Sequence, residues 1–178
     1  MKLKKIKDFL LELFFPSFCF LCEKEGNCLC EDCKELLDIS QKNRNIQIEG
    51  FNEIHYGLSF ENRYSKKLID NYLGETPLKD LSKVFVDILK DHFLFSGRIP
   101  FNKSYIVTYL SEEDKNINFN REKELAKAFS KKFNLEYSKE NLENKNIILI
   151  TTKLNKEKVL KFIKNLKANR IILICISV

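Results

Sequence analysis

Apolar residues in the second half of the chain fall into short dense runs separated by longer amphipathic stretches. Residues 104–110, 146–152 and 170–178 are nearly continuous in Ile, Val, Leu and Tyr, which predicts three buried strands. Between them, residues 120–133 and 155–166 repeat apolar positions at helical spacing, which predicts two helices. Earlier, residues 54–60 alternate loosely and read as a further strand, and residues 63–73 read as a helix that Gly74 ends as its C-cap residue. Thr76-Pro77 then opens another helix, with Pro in the first turn. Leu78, Leu81, Phe85, Ile88, Leu89 and His92 form its apolar stripe. Continuously apolar strands separated by helices predict an α/β fold whose parallel sheet is covered on both faces. In such a sheet a ligand binds at the carboxyl ends of the strands, where the helices begin.

The first 45 residues follow a different pattern. Leu3, Ile6, Leu10, Leu13 and Phe14 recur at helical spacing between lysines and acids, which predicts an amphipathic helix. The lysine-rich start resembles the charged region of a signal peptide. However, Asp8 and Glu12 interrupt the apolar run, and no small-residue cleavage site follows. No segment reaches membrane-spanning length. Residues 31–38 read as a short helix and the polar run 40–45 as a linker. The expected division is residues 1–40, a helix and a cysteine-rich ribbon, and residues 46–178, the α/β domain.

The cysteines change the picture of that first unit. Cys19-Phe-Leu-Cys22 and Cys30-Glu-Asp-Cys33 give the spacing C-x2-C-x7-C-x2-C. Each pair brings two thiolates to one side of a tight turn, and two turns complete a tetrahedral S4 site of the kind that selects Zn2+ in a structural role. The candidate ligands are Cys19, Cys22, Cys30 and Cys33. Lys24, Glu25, Gly26 and Asn27 supply the polar turn between the knuckles. A redox dithiol would need one C-x-x-C at a helix start near a βαβ unit, not two facing pairs. Cys28 lies two residues before Cys30 and is an alternative ligand; Cys30 is preferred because it makes the second knuckle with Cys33. Five of the six cysteines fall in this stretch, which points to a reducing cytoplasm and a metal, not to a secreted disulfide scaffold.

Composition narrows the class further. A chain of 178 residues with 44% hydrophobic and 31% charged residues is a globular protein with room for one domain and a small appendage. With two histidines and five glycines, it has little material for a Ser–His–Asp, Cys–His or phosphate-loop constellation. His92, on an apolar stripe, reads as a core or boundary residue, not as a ligand.

A segment ending Leu-Phe-Phe-Pro16, then Cys19-Phe-Leu-Cys22, then Leu29-Cys30-Glu-Asp-Cys33 resembles the start of the ComF family. Tyr56-Gly57, Leu68-Ile69, Phe119-Asn120, Glu124-Leu125-Ala126 and the run Ile147 to Ile150 resemble later family segments. The resemblance implies a zinc ribbon joined to a type I phosphoribosyltransferase-like domain. It also implies a role in natural competence and DNA uptake, with protein partners in that machinery.

The departures from the family pattern bear on activity. The family's substrate strand ends in two acids that hold the ribose hydroxyls of phosphoribosyl pyrophosphate, followed by a Thr-Thr-Gly turn that cradles the 5-phosphate. Here the corresponding residues are Thr151-Thr152 and then Lys153-Leu154-Asn155-Lys156-Glu157. Neither acid is present, no glycine lets the backbone close on a phosphate, and the nearest acids along the chain are Glu143 and Glu157. Thr108-Tyr109-Leu110 replaces the family's Pro-Val-Pro, Ile117-Asn118 replaces its Arg-Gly, and residues 134–145 form a shorter connection. The expectation is a persisting fold without a catalytic site.

Charge adds one more surface. The net charge is +6, and Lys156, Lys158, Lys161, Lys164 and Lys167 cluster on and after the last helix, with Lys153 and Arg170 beside them. Such a face can bind phosphate backbones without sequence preference; the plainer reading is a solvated face, and no aromatic residue interleaves to stack bases. Three function classes result: a non-catalytic ComF-like accessory protein, an active phosphoribosyltransferase with a rebuilt site, and a zinc-ribbon nucleic-acid binder.

Overall fold

In chain order the elements are α1 (Glu31–Glu35), β1 (Glu53–Leu58), α2 (Arg63–Leu73), α3 (Lys79–Phe95), β2 (Tyr105–Tyr109), α4 (Arg121–Phe133), β3 (Glu136–Tyr137), β4 (Asn146–Lys153), α5 (Lys156–Lys164) and β5 (Arg170–Ser177). They are seen in a computed structural model that describes residues 16–39, 48–74, 79–110 and 120–177. All five strands are parallel, in the order β1-β5-β4-β2-β3. The apolar strand runs thus build the parallel sheet expected of them.

Alternation along each strand divides the side chains between two faces. Val107, Ile148, Ile150, Ile172 and Ile174 face a large core with Leu68, Ile69 and Tyr72 of α2, Phe85, Ile88 and Leu89 of α3, and Leu125 and Phe129 of α4. Their neighbours Leu149, Leu173 and Ile54 face the other way, onto Val159 of α5, and Ile106 and Ile147 onto Leu142, with Phe162 and Leu166 beside them. Among the described residues three helices therefore cover one face, while a single nine-residue helix covers the other. Helix α3 approaches β1 closely at Gly57, where an added Cβ would lie 3.2 Å from Leu89 Cδ2.

Helix starts follow the capping chemistry of the sequence. Asn62 Oδ1 accepts from the N–H groups of Tyr64 and Ser65, Asn120 Oδ1 from that of Lys123, and Asn155 Oδ1 from that of Lys158. Two details differ from expectation. Gly74 follows α2 in an extended conformation, φ −64°, so the stop does not use the left-handed freedom of glycine. Strand β3, absent from the sequence reading, lies in the 134–145 connection. It is two residues long and, among the described residues, pairs with β2 alone, too short to give an apolar period. The amphipathic segment 1–15, the linker 40–45, Thr76-Pro77, Leu78 and Phe119 lie outside the described residues.

The cysteine-rich segment packs on the main core. Cys19, Leu21, Cys30, Cys33 and Leu37 belong to the same apolar cluster as Leu58 and α3. Ile39 bridges Leu58 in antiparallel fashion, Lys67 Nζ donates to the Leu21 carbonyl at 3.0 Å, and Lys34 pairs with Asp91 at 2.7 Å. Among the described residues no helix is long and apolar enough to cross a membrane.

Candidate metal centre and the carboxyl edge of the sheet

The ribbon is closed by short-range backbone bonds. Phe18 and Glu25 form an antiparallel bridge, the Glu23 N–H donates to the Cys19 carbonyl at 2.8 Å, and the Cys19 N–H donates to that of Lys24 at 2.9 Å. The turn reverses through Glu23 at φ 62° and Gly26 at φ 130°, the second of which is natural only to glycine. A further bond from the Phe20 N–H to the Cys28 carbonyl, 2.9 Å, brings the first knuckle onto the segment leading to the second. Cys30 then caps α1 and Cys33 sits in its first turn, buried.

These bonds bring Cys19, Cys22, Cys30 and Cys33 together, with their sulfurs all within 4.8 Å of one another. The Cys22 and Cys30 sulfurs are 3.6 Å apart. Four thiolates at about 2.3 Å from a central ion in a tetrahedron stand roughly 3.8 Å apart, so the set fits a closed four-sulfur metal site. Cys28 is not among the converging sulfurs; it lines a separate cleft of about 450 Å³ beside Lys83 and Asp80 of α3. Burial opposes ionisation of Cys19, but backbone hydrogen bonds from Cys30, Cys22 and Leu21 outweigh it and lower the thiol to about 6. Burial and the neighbouring thiols push Cys33 upward. The cluster thus favours a thiolate at Cys19, and a bound cation would offset the repulsion that raises Cys30 and Cys33.

The carboxyl edge of the sheet has its crevice between β2 and β4, because β3 lies outside β2 while β5 and β1 lie outside β4. Strand β4 ends there in Thr151, Thr152 and Lys153. The Thr151 hydroxyl donates to the Lys153 carbonyl at 3.0 Å. The Thr152 hydroxyl donates to Glu122 Oε1 at 2.6 Å, both residues being buried. Glu122 is the residue that sequence reasoning missed. Along the chain it is 30 residues from Thr152, but the first turn of α4 brings it to the end of β4. The capped start of α4 and the crossover after β2 were the available signal. Beside it, Arg121 donates to the Gly74 carbonyl, and the Tyr72 hydroxyl, bonded to Ser82 at 2.9 Å, reaches the Arg121 carbonyl at 3.0 Å. Lys153 turns to solvent, with its ammonium 5.9 Å from the centre of the Phe60 ring.

On the opposite side of the sheet from α4, Lys156, Lys158, Lys161, Lys164 and Lys167 are all exposed. Val159 is the one residue of α5 that is fully buried, and Phe162, Ile163 and Leu166 are half-buried. Phe51 lines a cavity of about 620 Å³ with Lys164 and Arg170 at the end of this helix. The chain matches no family model, and no curated protein matches it.

Proposed function

We propose that this chain is a ComF-like accessory protein of DNA uptake, cytoplasmic, whose phosphoribosyltransferase-like domain does not transfer phosphoribosyl groups. The observation that carries this reading is the end of β4, where two threonines and a lysine stand in place of a carboxylate pair and a glycine turn. Charge-assisted hydrogen bonds to ribose hydroxyls are worth roughly 1.5–3 kcal/mol each, and neutral threonine hydroxyls do not supply them. Loss of that orientation is severe, because positioning provides about 7–11 kcal/mol of a typical enzymatic barrier. In this reading Cys19, Cys22, Cys30 and Cys33 hold Zn2+ as a structural ion. The exposed lysines of α5 and Lys167 give weak, sequence-independent DNA contact, and partner proteins of the competence machinery dock on the domain.

The test is release of pyrophosphate from phosphoribosyl pyrophosphate and Mg2+ across a panel of bases and amines. No turnover above background is expected. Glu122 favours a second reading, a rebuilt phosphoribosyltransferase, since it returns one carboxylate to the end of β4. Turnover that is lost in Glu122→Gln would establish that reading and overturn the first. For the lysine face, replacing Lys158, Lys161 and Lys164 by Gln should flatten the salt dependence of DNA binding. Unchanged affinity would leave it a solvated surface.

A further inference from the structure

The two histidines of the chain are 37 residues apart, yet the fold brings them into contact inside the protein. His55 of β1 and His92 of α3 are 4% and 1% exposed, with His55 Nδ1 3.4 Å from His92 Nε2. On its other side, His55 Nε2 lies 3.4 Å from Glu53 Oε2. Glu53 Oε1 in turn accepts from Arg98 at 2.9 Å and Arg170 at 2.7 Å. Phe93 presents a ring edge to both imidazoles, with centroids 5.3 Å away in each case. This array spans the seam between α3 and the edge strand, at the amino end of β1 and away from the carboxyl edge.

Its geometry permits one neutral arrangement. The Glu53 carboxylate fixes a proton on His55 Nε2, so His55 Nδ1 is an acceptor and the His92 Nε2–H donates to it. A proton added to His55 Nδ1 meets the His92 N–H unless His92 moves its own proton to Nδ1, and protonating both rings places two cations in contact within an apolar seam. Among the described residues, charged groups that face His55 are Glu53 from β1 and, through Glu53, Arg98 from the turn after α3 and Arg170 from β5. The neighbouring thiol of Cys175 on β5, which donates to the His55 carbonyl at 3.6 Å, is pushed up by burial to about 12 and stays neutral. Arg98 and Arg170 already engage Glu53, so its charge is shared and only partly available to an imidazolium.

We propose that the His55–His92 pair is a pH-sensitive latch that holds α3 on β1 while both rings are neutral and releases it on acidification. Burial first, and His92 second, hold His55 below its ordinary value, against the smaller pull of Glu53. A histidine so lowered binds fewer protons folded than unfolded. The latch therefore contributes stability above the unfolded value of about 6.5, and that stability is lost as pH falls through it toward the folded value.

The experiment is denaturant unfolding of the full chain at pH 7.5 and pH 5.5, a window above ordinary carboxylate titration, for wild type and a His55→Gln/His92→Gln double variant. Each withheld proton changes the unfolding constant about tenfold over this window. The wild-type constant is expected to rise at least tenfold more than that of the variant, in which pH effects from the cysteines are the same. A smaller difference overturns the proposal. Should the double variant fail to fold, the imidazole resonances of wild type decide. His55 is expected to titrate below its ordinary value of about 6.5, and an ordinary titration of His55 near 6.5 overturns the latch.

Discussion

The ribbon and the sheet hold themselves together by different means. The sheet has a continuous apolar interior in which Ile147, Ile148, Leu149 and Ile150 of β4 and Ile172, Leu173 and Ile174 of β5 are all fully buried. The ribbon has one five-residue helix, two isolated bridges at its ends and four convergent sulfurs. A segment of that size cannot bury enough apolar surface to fix itself. A metal ion held by the four cysteines would supply its local order, and the core it shares with the sheet fixes its place on the molecule.

Breaking the ligand set should produce the largest effect, confined to the ribbon. Structural zinc in small domains supplies roughly 10–16 kcal/mol at neutral pH. A Cys19→Ser/Cys33→Ser double variant is expected to lose bound metal completely by elemental analysis while keeping the circular dichroism of the sheet. Cys30→Ser should weaken binding, and Cys28→Ser should leave it nearly intact, since Cys28 faces a different cleft. Full metal retention in the double variant, or loss in Cys28→Ser, would reverse the assignment of ligands.

The next largest effect belongs to the sheet. Phe129 of α4 is fully buried, with ring centroids 5.5 Å from Phe101 and 4.5 Å from Phe133. Replacing it with Ala should cost about 3–5 kcal/mol in denaturant unfolding, with metal stoichiometry unchanged. If this substitution also released the metal, the ribbon and sheet would not be separable in the way the contrast describes.

How much of this was legible in the sequence follows the same division. The strands of the sheet were readable because parallel strands buried on both faces need unbroken apolar runs, as the Ile and Leu of Ile147 to Ile150 and Ile171 to Ile174 provide. The cysteine spacing was readable because ligation geometry fixes it. What escaped was long-range pairing of polar groups. Glu122 meets Thr152, and His55 meets His92, across separations that carry no local period. Nor did sequence distance reveal that the acid nearest to Thr152 in space comes from another helix. Strand β3 escaped because two residues carry no alternation.

The smallest effect tests how the ribbon docks. Besides the Lys67 hydrogen bond to the Leu21 carbonyl and the Ile39–Leu58 bridge, the ribbon meets the body through the apolar cluster that holds Leu21, Leu37 and Leu58 and through the ion pair of Lys34 with Asp91. Both charges of that pair are partly exposed, with side-chain accessibilities of 30% and 22%, so water and salt screen the attraction. Exposed pairs of this kind are worth roughly 0.2–1 kcal/mol. A double-mutant cycle with Lys34→Met and Asp91→Asn should give a coupling energy in that range, shrinking further in high salt. Leu37→Ala, by contrast, removes a buried side chain from that cluster and should cost about 2–5 kcal/mol. The two measurements must differ in that order if apolar contact docks the ribbon. A coupling energy as large as the Leu37→Ala loss would mean that the ion pair sets the position of the ribbon, and salt alone would then undock it.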